Sequence, residues 1–477
     1  KRVTRCLAHA KRRLIMRAEH TINDPMINDS VKMPFNRRWS ISRASLKRLL
    51  PGLALAGSRG FTLAAQFATQ IVVGMLAGAS GLGVLQLFTS WVSIAGEILA
   101  LGLPARAMRQ VAVACAHGEV SSIERILRQS RQTILRLGSV VALLLLPALL
   151  WAGHSDSGPD WGVYYWLIMG TICTAPLFAI GRLYAESLKA SGAALTAVTL
   201  ENLLSPLVVL SLCAACWLLS EPLVALSLLI AFGASVVIVP VALRLAITAQ
   251  LARLPAIPLR PSQLETPALT SAPHRDLFYL WSNGVLSIAF LQMPFLIMPL
   301  FLNTSEIGVY AMAHKLVNVI TTLLLLLAAV YGPRFARSAA QLDIDGLAAQ
   351  LRQTQFISMV VYSPAALLLI VFAAPLAELF GHEFSELGEF LIILCFGQLI
   401  NAATGLCGVL LNMSGHASRE LVALCVTGLV AIVTSAVVGP RYGAVGLAWV
   451  FSGSIALKNL ISYGMVRGAL KTMPGQA

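Results

Sequence analysis

Apolar residues along this chain come in blocks of about 20 or more, long enough at 1.5 Å per residue to cross a hydrocarbon core of roughly 30 Å. Each block therefore predicts a spanning helix. The blocks fall at roughly 49–77, 81–104, 137–153, 161–180, 194–219, 222–247, 277–302, 305–331, 354–377, 388–412, 419–439 and 443–468, about twelve in all. Continuous runs such as Val140, Val141, Ala142 and Leu143 through Leu146 do not fit the alternating segments of a closed barrel. The expected fold class is all-α, a polytopic membrane protein.

Composition sharpens this reading. Hydrophobic residues make up 57% of the 477 positions and charged residues only 12%, against about 25% charged in a soluble domain. A water-facing surface cannot be built from that. Most of the eight cysteines, Cys173, Cys395, Cys407 and Cys425 among them, lie inside spans, where a thiol packs as a small hydrophobe. Cys213 and Cys216 form a CxxC without a second ligand pair, so packing is expected there and no metal site.

The charged residues orient the spans. Residues 1–48 hold thirteen Lys or Arg against three acids, Glu19, Asp24 and Asp29, and the positive-inside rule makes this basic arm cytoplasmic. With twelve crossings every even-to-odd loop is then cytoplasmic, and those loops carry Arg106, Arg109, Arg125, Arg128, Arg131, Arg182, Lys189, Arg253, Arg260, Arg275, Arg334, Arg337, Arg352 and Arg419. The opposite loops hold Asp156, Asp160, Glu221, Glu306, Glu383 and Glu386, with Arg441 as their only basic residue. Both termini are expected in the cytoplasm, including a short tail at 471–477. The net charge of +14 follows from this topology and from attraction to anionic lipid heads, and needs no nucleic-acid partner. Within the arm, Asn36 to Leu50 reads either as an interfacial helix or as a charged tail, and Met16, Met26 and Met33 are alternative starts.

The chain is internally repeated. Leu82-Gly83-Val84 resembles Ile307-Gly308-Val309 at an offset of 225, Pro104-Ala105-Arg106 resembles Pro333-Arg334 at 229, and Ser191-Gly192-Ala193-Ala194 resembles Ser414-Gly415-His416-Ala417 at 223. Near-constant offsets predict two six-helix halves, 49–247 and 276–470, in the same membrane orientation, joined by the proline-rich linker 248–275. The substrate site is expected at their interface. Gly74 and Gly78, four residues apart, predict a close helix contact.

No Walker motif is present, and no cofactor is expected. Loops on the external side are short, apart from stretches near 154–160 and 378–387, which argues against a membrane glycosyltransferase or polymerase. Ionisable residues inside spans are more informative, since a charge at the bilayer centre costs about 2.5 kcal/mol or more and persists by facing a partner or a wet cavity. Five stand out by their depth: Arg59, Glu97, Glu201, Lys315 and Lys458. Arg59 and Glu97 lie at similar depths and either neutralise each other or face a cavity. Lys315, near His314 and Asn318, either meets cargo or snorkels outward, and Lys458, beside Asn459, either faces a cavity or packs between helices. Three cations against two acids predict a hydrated, mildly cationic interior. Gln66, Gln70, Asn202, Asn283, Gln292, Gln398 and Asn401 are candidates either to line it or to bridge helices.

Several stretches resemble the polysaccharide-transporter branch of the MOP superfamily, which includes the Wzx O-antigen flippases and, more distantly, MATE exporters and MurJ lipid II flippases. The likeness covers about residues 45–470. It is carried by Gly83-Val84 with Gly102-Leu103-Pro104-Ala105-Arg106, by Ile307-Gly308-Val309-Tyr310-Ala311 through Pro333-Arg334-Phe335-Ala336, by Leu411-Asn412-Met413-Ser414-Gly415-His416, and by Tyr442-Gly443-Ala444-Val445-Gly446-Leu447-Ala448. This resemblance implies two lobes that move a polyprenyl-pyrophosphate-linked oligosaccharide across the bacterial inner membrane by alternating access, alongside other polysaccharide-assembly proteins. A MATE-type antiporter is the main rival, supported by Glu97 and Glu201 but opposed by the cations. A major-facilitator transporter ranks lower, because Pro104-Ala105-Arg106-Ala107-Met108-Arg109 lacks the expected Asp.

Overall fold

The computed structural model describes residues 43–152, 161–219, 225–253 and 274–472, and every regular element among them is helical. In chain order these are α1 (Arg43–Ala100), α2 (Leu103–His117), α3 (Val120–Ala152), α4 (Trp161–Ala190), α5 (Ala194–Leu219), α6 (Ala225–Leu251), α7 (His274–Leu291), α8 (Met293–Ile297), α9 (Thr304–Ala340), α10 (Ile344–Val371), α11 (Ala373–Phe380), α12 (Leu387–Thr404), α13 (Cys407–Met413) and α14 (Ala417–Thr472). The basic arm before residue 43, linker residues 254–273, Asp156, Asp160 and Glu221 lie outside the described residues.

Seven of these stretches are long and apolar enough to cross a membrane by length and composition, and two of the seven are double. Gly78 breaks α1 with φ 68° and ψ −170°, and Gly443 breaks α14 with φ 55° and ψ −142°. A residue with a Cβ is strained at such angles, so glycine lets a single residue join two successive spans. Gly78 is thus the joint itself, and a Cβ there would also stand 2.6 Å from Glu383 Oε2. Gly74 does make the close contact, since a Cβ there would stand 3.0 Å from Leu82 Cδ1.

Start signals in the sequence act locally. Asn303 and Glu306 form a reciprocal capping box that opens α9, with Glu306 N–H donating to Asn303 Oδ1 and Asn303 N–H donating to Glu306 Oε2, both at 3.0 Å. Asp343 opens α10 by accepting from the Gly346 N–H at 2.8 Å. Two boundaries differ from the hydropathy reading. The helix of the fourth span continues to Ala190, carrying Arg182 and Lys189 inside it, and the basic segment after the second span is the separate helix α2.

Helices α2 to α6 pack on one another, and α9, α10, α12, α13 and α14 do the same, giving two bundles. One hydrophobic core, including Val73, Leu82, Phe88, Phe295, Tyr310, Phe390 and Phe451, is shared by both. A second, with Ala107, Ile123, Leu188 and Leu251, belongs to the first bundle alone; a third, with Tyr331, Phe335, Leu351 and Val466, belongs to the second. The bundles therefore share a core at the end near Gly83 and Gly308 and have separate cores at the arginine-rich end, where α7 still meets the first bundle through Trp281 Nε1, which donates to the Ile98 carbonyl at 3.1 Å. Large apolar side chains face outward around both, among them Leu143 at 75%, Trp217 at 70% and Phe356 at 70% exposure. Such a surface suits lipid and not water.

At the joined end the repeated glycines meet. A Cβ on Gly83 would lie 1.9 Å from the Thr304 carbonyl oxygen, and one on Gly308 would lie 1.7 Å from that of Ala79. Glycine alone allows the two backbones this approach. The two members of the Gly-Val repeat thus face each other across the seam between bundles, as equivalent positions on a pseudo-twofold axis do.

Candidate functional site

Two polar cavities flank the seam. The first, about 380 Å³, opens mainly into the first bundle and is lined by Gln66, Gln70, Glu201 and Asn202, with Gln292 and Lys315 reaching it from the second. The second, about 340 Å³, lies in the other bundle and is lined by Asn318, Gln398, Asn401 and Lys458, with Tyr310, His314, Asn412, Glu420 and Asn459. Ten of the thirteen residues expected from the sequence line one cavity or the other. Glu97 sits beside the first cavity. The side chains of Arg59 and Asn283 lie outside the described ones.

The amides are partly committed to helix bridging. Gln66 Nε2 donates to the Asn202 carbonyl at 3.4 Å, and Asn202 Nδ2 donates to the Val198 carbonyl at 2.9 Å. Gln86 Nε2 donates to Ser90 Oγ at 3.0 Å, and Ser90 Oγ donates to Gln292 Oε1 at 3.2 Å, so this chain of bonds crosses between bundles. Gln70 Oε1 is buried with no protein partner. A buried acceptor left unsatisfied costs about 1–3 kcal/mol, and a wet cavity wall removes that cost.

Charge in the first cavity is nearly balanced. Lys189 Nζ donates to Glu201 Oε2 at 2.9 Å and to Glu186 Oε1 at 3.0 Å. Arg182 Nη1 stands 3.5 Å from Glu201 Oε1, and its Nη2 stands 3.9 Å from Glu97 Oε2. The ion partner of Glu97 among the described residues is thus Arg182. Neither Arg182 nor Lys189 is counted among the membrane charges by hydropathy, because both fall just past the apolar part of α4.

Lys315 differs from these. It projects from α9 into the first cavity, and among the described residues no carboxylate pairs with it. Its neighbour His314 points instead to the second cavity, where Asn318 Nδ2 lies 3.1 Å from its Nδ1 and the ring stacks on Tyr310 with centroids 6.0 Å apart.

Lys458 is paired. Its Nζ contacts Glu420 Oε1, and Ser462 Oγ donates to Glu420 Oε2 at 2.7 Å. Gly408 makes room for the pair, since a Cβ there would lie 2.5 Å from Glu420 Oε1. Glu420 escapes the sequence reading because it sits at the start of α14, beside Arg419, where it resembles a loop charge. Among the described residues the count of three cations against two acids therefore changes: Glu420 neutralises Lys458, Arg182 and Lys189 face the three acids Glu97, Glu186 and Glu201, and Lys315 has no carboxylate paired with it.

This architecture is that of a known transporter fold. A MATE-family multidrug resistance transporter of the MOP superfamily, solved in an inward-facing conformation, superposes with a TM-score of 0.68 at 14% identity, covering 86% of this chain and 95% of that one. The lipid II flippase MurJ in an inward closed conformation gives 0.60 at 12% identity, covering 88% of each. A MOP superfamily transporter from Pyrococcus furiosus gives 0.58 at 16%, covering 89% and 94%. Residues 278–388 match the family described as polysaccharide biosynthesis protein. A search of curated proteins returned no match. The chain is a multi-pass membrane protein with a MATE-like fold, and its resemblance to polysaccharide biosynthesis proteins rests on residues 278–388.

Proposed function

We propose that this protein is a flippase of the bacterial inner membrane, carrying a polyprenyl-pyrophosphate-linked oligosaccharide between leaflets by alternating access of two six-helix lobes, 49–247 and 276–470. The observation that carries the reading is Lys315, an unpaired cation facing a polar cavity at the seam. A lone ammonium inside the membrane is costly unless water or an anion attends it, and a pyrophosphate supplies that anion. The amides and hydroxyls around it suit sugar hydroxyls, while the polyprenyl chain stays in lipid beside the seam.

On this reading the basic ends and both termini are cytoplasmic, the end joined at Gly83 and Gly308 faces the periplasm, and the linker 248–275 lets the lobes rock. The family match at 278–388 and the fold shared with MurJ support this cargo class over a soluble metabolite. The protein acts as a transporter and not as an enzyme, and other polysaccharide-assembly proteins are its neighbours.

A cation-coupled antiporter of MATE type is the second reading. Glu97 favours it, being 9% exposed with Oε2 buried and lacking a hydrogen-bond partner. Reconstitution in liposomes separates the two. With a labelled polyprenyl-pyrophosphate glycan in one leaflet and a cationic dye as competing cargo, the flippase reading expects the glycan to reach the opposite leaflet at a protein-dependent rate. Movement of the dye alone would establish the antiporter.

A further inference from the structure

Near the start of α3, Glu124, Arg128 and Arg131 are spaced four and three residues apart and share one helix face. Arg244, in the last turns of α6, and Tyr184 of α4, 5% exposed, meet that face. Together, over Leu127, they line a cleft of about 210 Å³. None of these six residues lines either cavity at the seam.

Three guanidiniums share this small volume with one carboxylate, and no ion pair among the described residues includes Arg128, Arg131 or Arg244. The Nε of Arg131 is buried without a hydrogen-bond partner. Like charges gathered this way repel, and an unsatisfied buried donor is costly, unless an anion rich in acceptors enters. Planar guanidinium donors match phosphate oxygens in two-point contacts.

What lies next to the cleft identifies the source of the phosphate. One turn beyond Arg131 on the same face of α3 stands Leu135, 41% exposed. One and two turns before Arg244 on α6 stand Val241 and Val237, 54% and 48% exposed. The charged cleft is thus continuous with an outward apolar strip, an arrangement for a charged head with hydrocarbon chains attached. We propose that this cleft binds the phosphodiester headgroup of an anionic membrane phospholipid, as a site separate from the cargo path.

The test titrates the full chain, purified in detergent, with phosphatidylglycerol, phosphatidylcholine or inorganic phosphate, and reads bound lipid by native mass spectrometry. The expected result is saturable phosphatidylglycerol binding that weakens at least tenfold in Arg128→Gln/Arg244→Gln and is not displaced by millimolar phosphate. Both arginines are exposed, so an unchanged melting temperature in lipid-free detergent accompanies that loss. Should the double variant not fold, Glu124→Gln decides: its phosphatidylglycerol affinity rises severalfold if the cleft is the site and stays at the wild-type value if it is not. Equal phosphatidylglycerol binding by wild type and the arginine variant, equal binding of phosphatidylcholine, or displacement by inorganic phosphate would overturn the proposal.

Discussion

The backbone N–H of Ala79 donates a 2.9 Å hydrogen bond to Glu383 Oε2, joining positions 304 residues apart across the seam between the bundles. Ala79 is the first residue after the Gly78 joint, so Glu383 caps the helix that follows with a charge from the opposite bundle. Carboxylates are favourable at such helix starts because the first N–H groups lack partners and the helix dipole is positive there.

Because this cap exists only while the bundles are joined at that end, removing it should favour the opposite conformation. An exposed cap contributes about 1 kcal/mol, a shift of roughly fivefold between two states. With Ser93→Cys as reporter in a cysteine-free background, Glu383→Ala should raise labelling by an impermeant maleimide from the periplasmic side severalfold. Labelling equal to that of the parent would show that Glu383 does not hold the seam.

The glycine seam gives a sharper steric prediction. Gly308→Ala places a methyl group 1.7 Å from the Ala79 carbonyl oxygen, which only backbone displacement can relieve. Overpacking of this kind costs about 1–3 kcal/mol or more. Thermal unfolding in detergent should show a lower midpoint for Gly308→Ala, whereas Gly453→Ala, where a Cβ meets nothing within 4 Å, should unfold near the parent's temperature. Equal midpoints for Gly308→Ala and the parent would contradict the close approach.

The Lys458 and Glu420 pair is 15% and 7% exposed at its side chains, and a buried pair is strongly destabilised by losing one member, by about 3–5 kcal/mol. Lys458→Met and Glu420→Gln should each lower the unfolding midpoint, and the double substitution should lower it less than their sum. Additive losses would mean that the two groups do not depend on each other.

Much of this was readable in the sequence because hydropathy and local caps act over short range. Asn303 and Glu306 signal the start of α9 by themselves, and the offset of 225 between Gly83 and Gly308 anticipates two equivalent positions. Pairing across helices was not readable. Arg182 lies eight residues before Ala190, the end of a helix that hydropathy cuts short, since polar final turns can extend beyond the hydrocarbon. Glu420 finds Lys458 only through the packing of the two arms of α14, which no spacing in the sequence encodes.

Topology yields another check. A reporter fused after Ala477 should be active only in its cytoplasmic form, and one inserted after Gly381 only in its periplasmic form. The reverse pattern would invert the reading of which end of the molecule is joined.

Lys315 decides the account as a whole. Glycan translocation into the opposite leaflet of proteoliposomes should fall at least tenfold in Lys315→Ala at equal reconstituted protein and recover in part in Lys315→Arg, because only the cation is restored. Wild-type translocation by Lys315→Ala would contradict the role of this ammonium as the receiver of the anionic cargo.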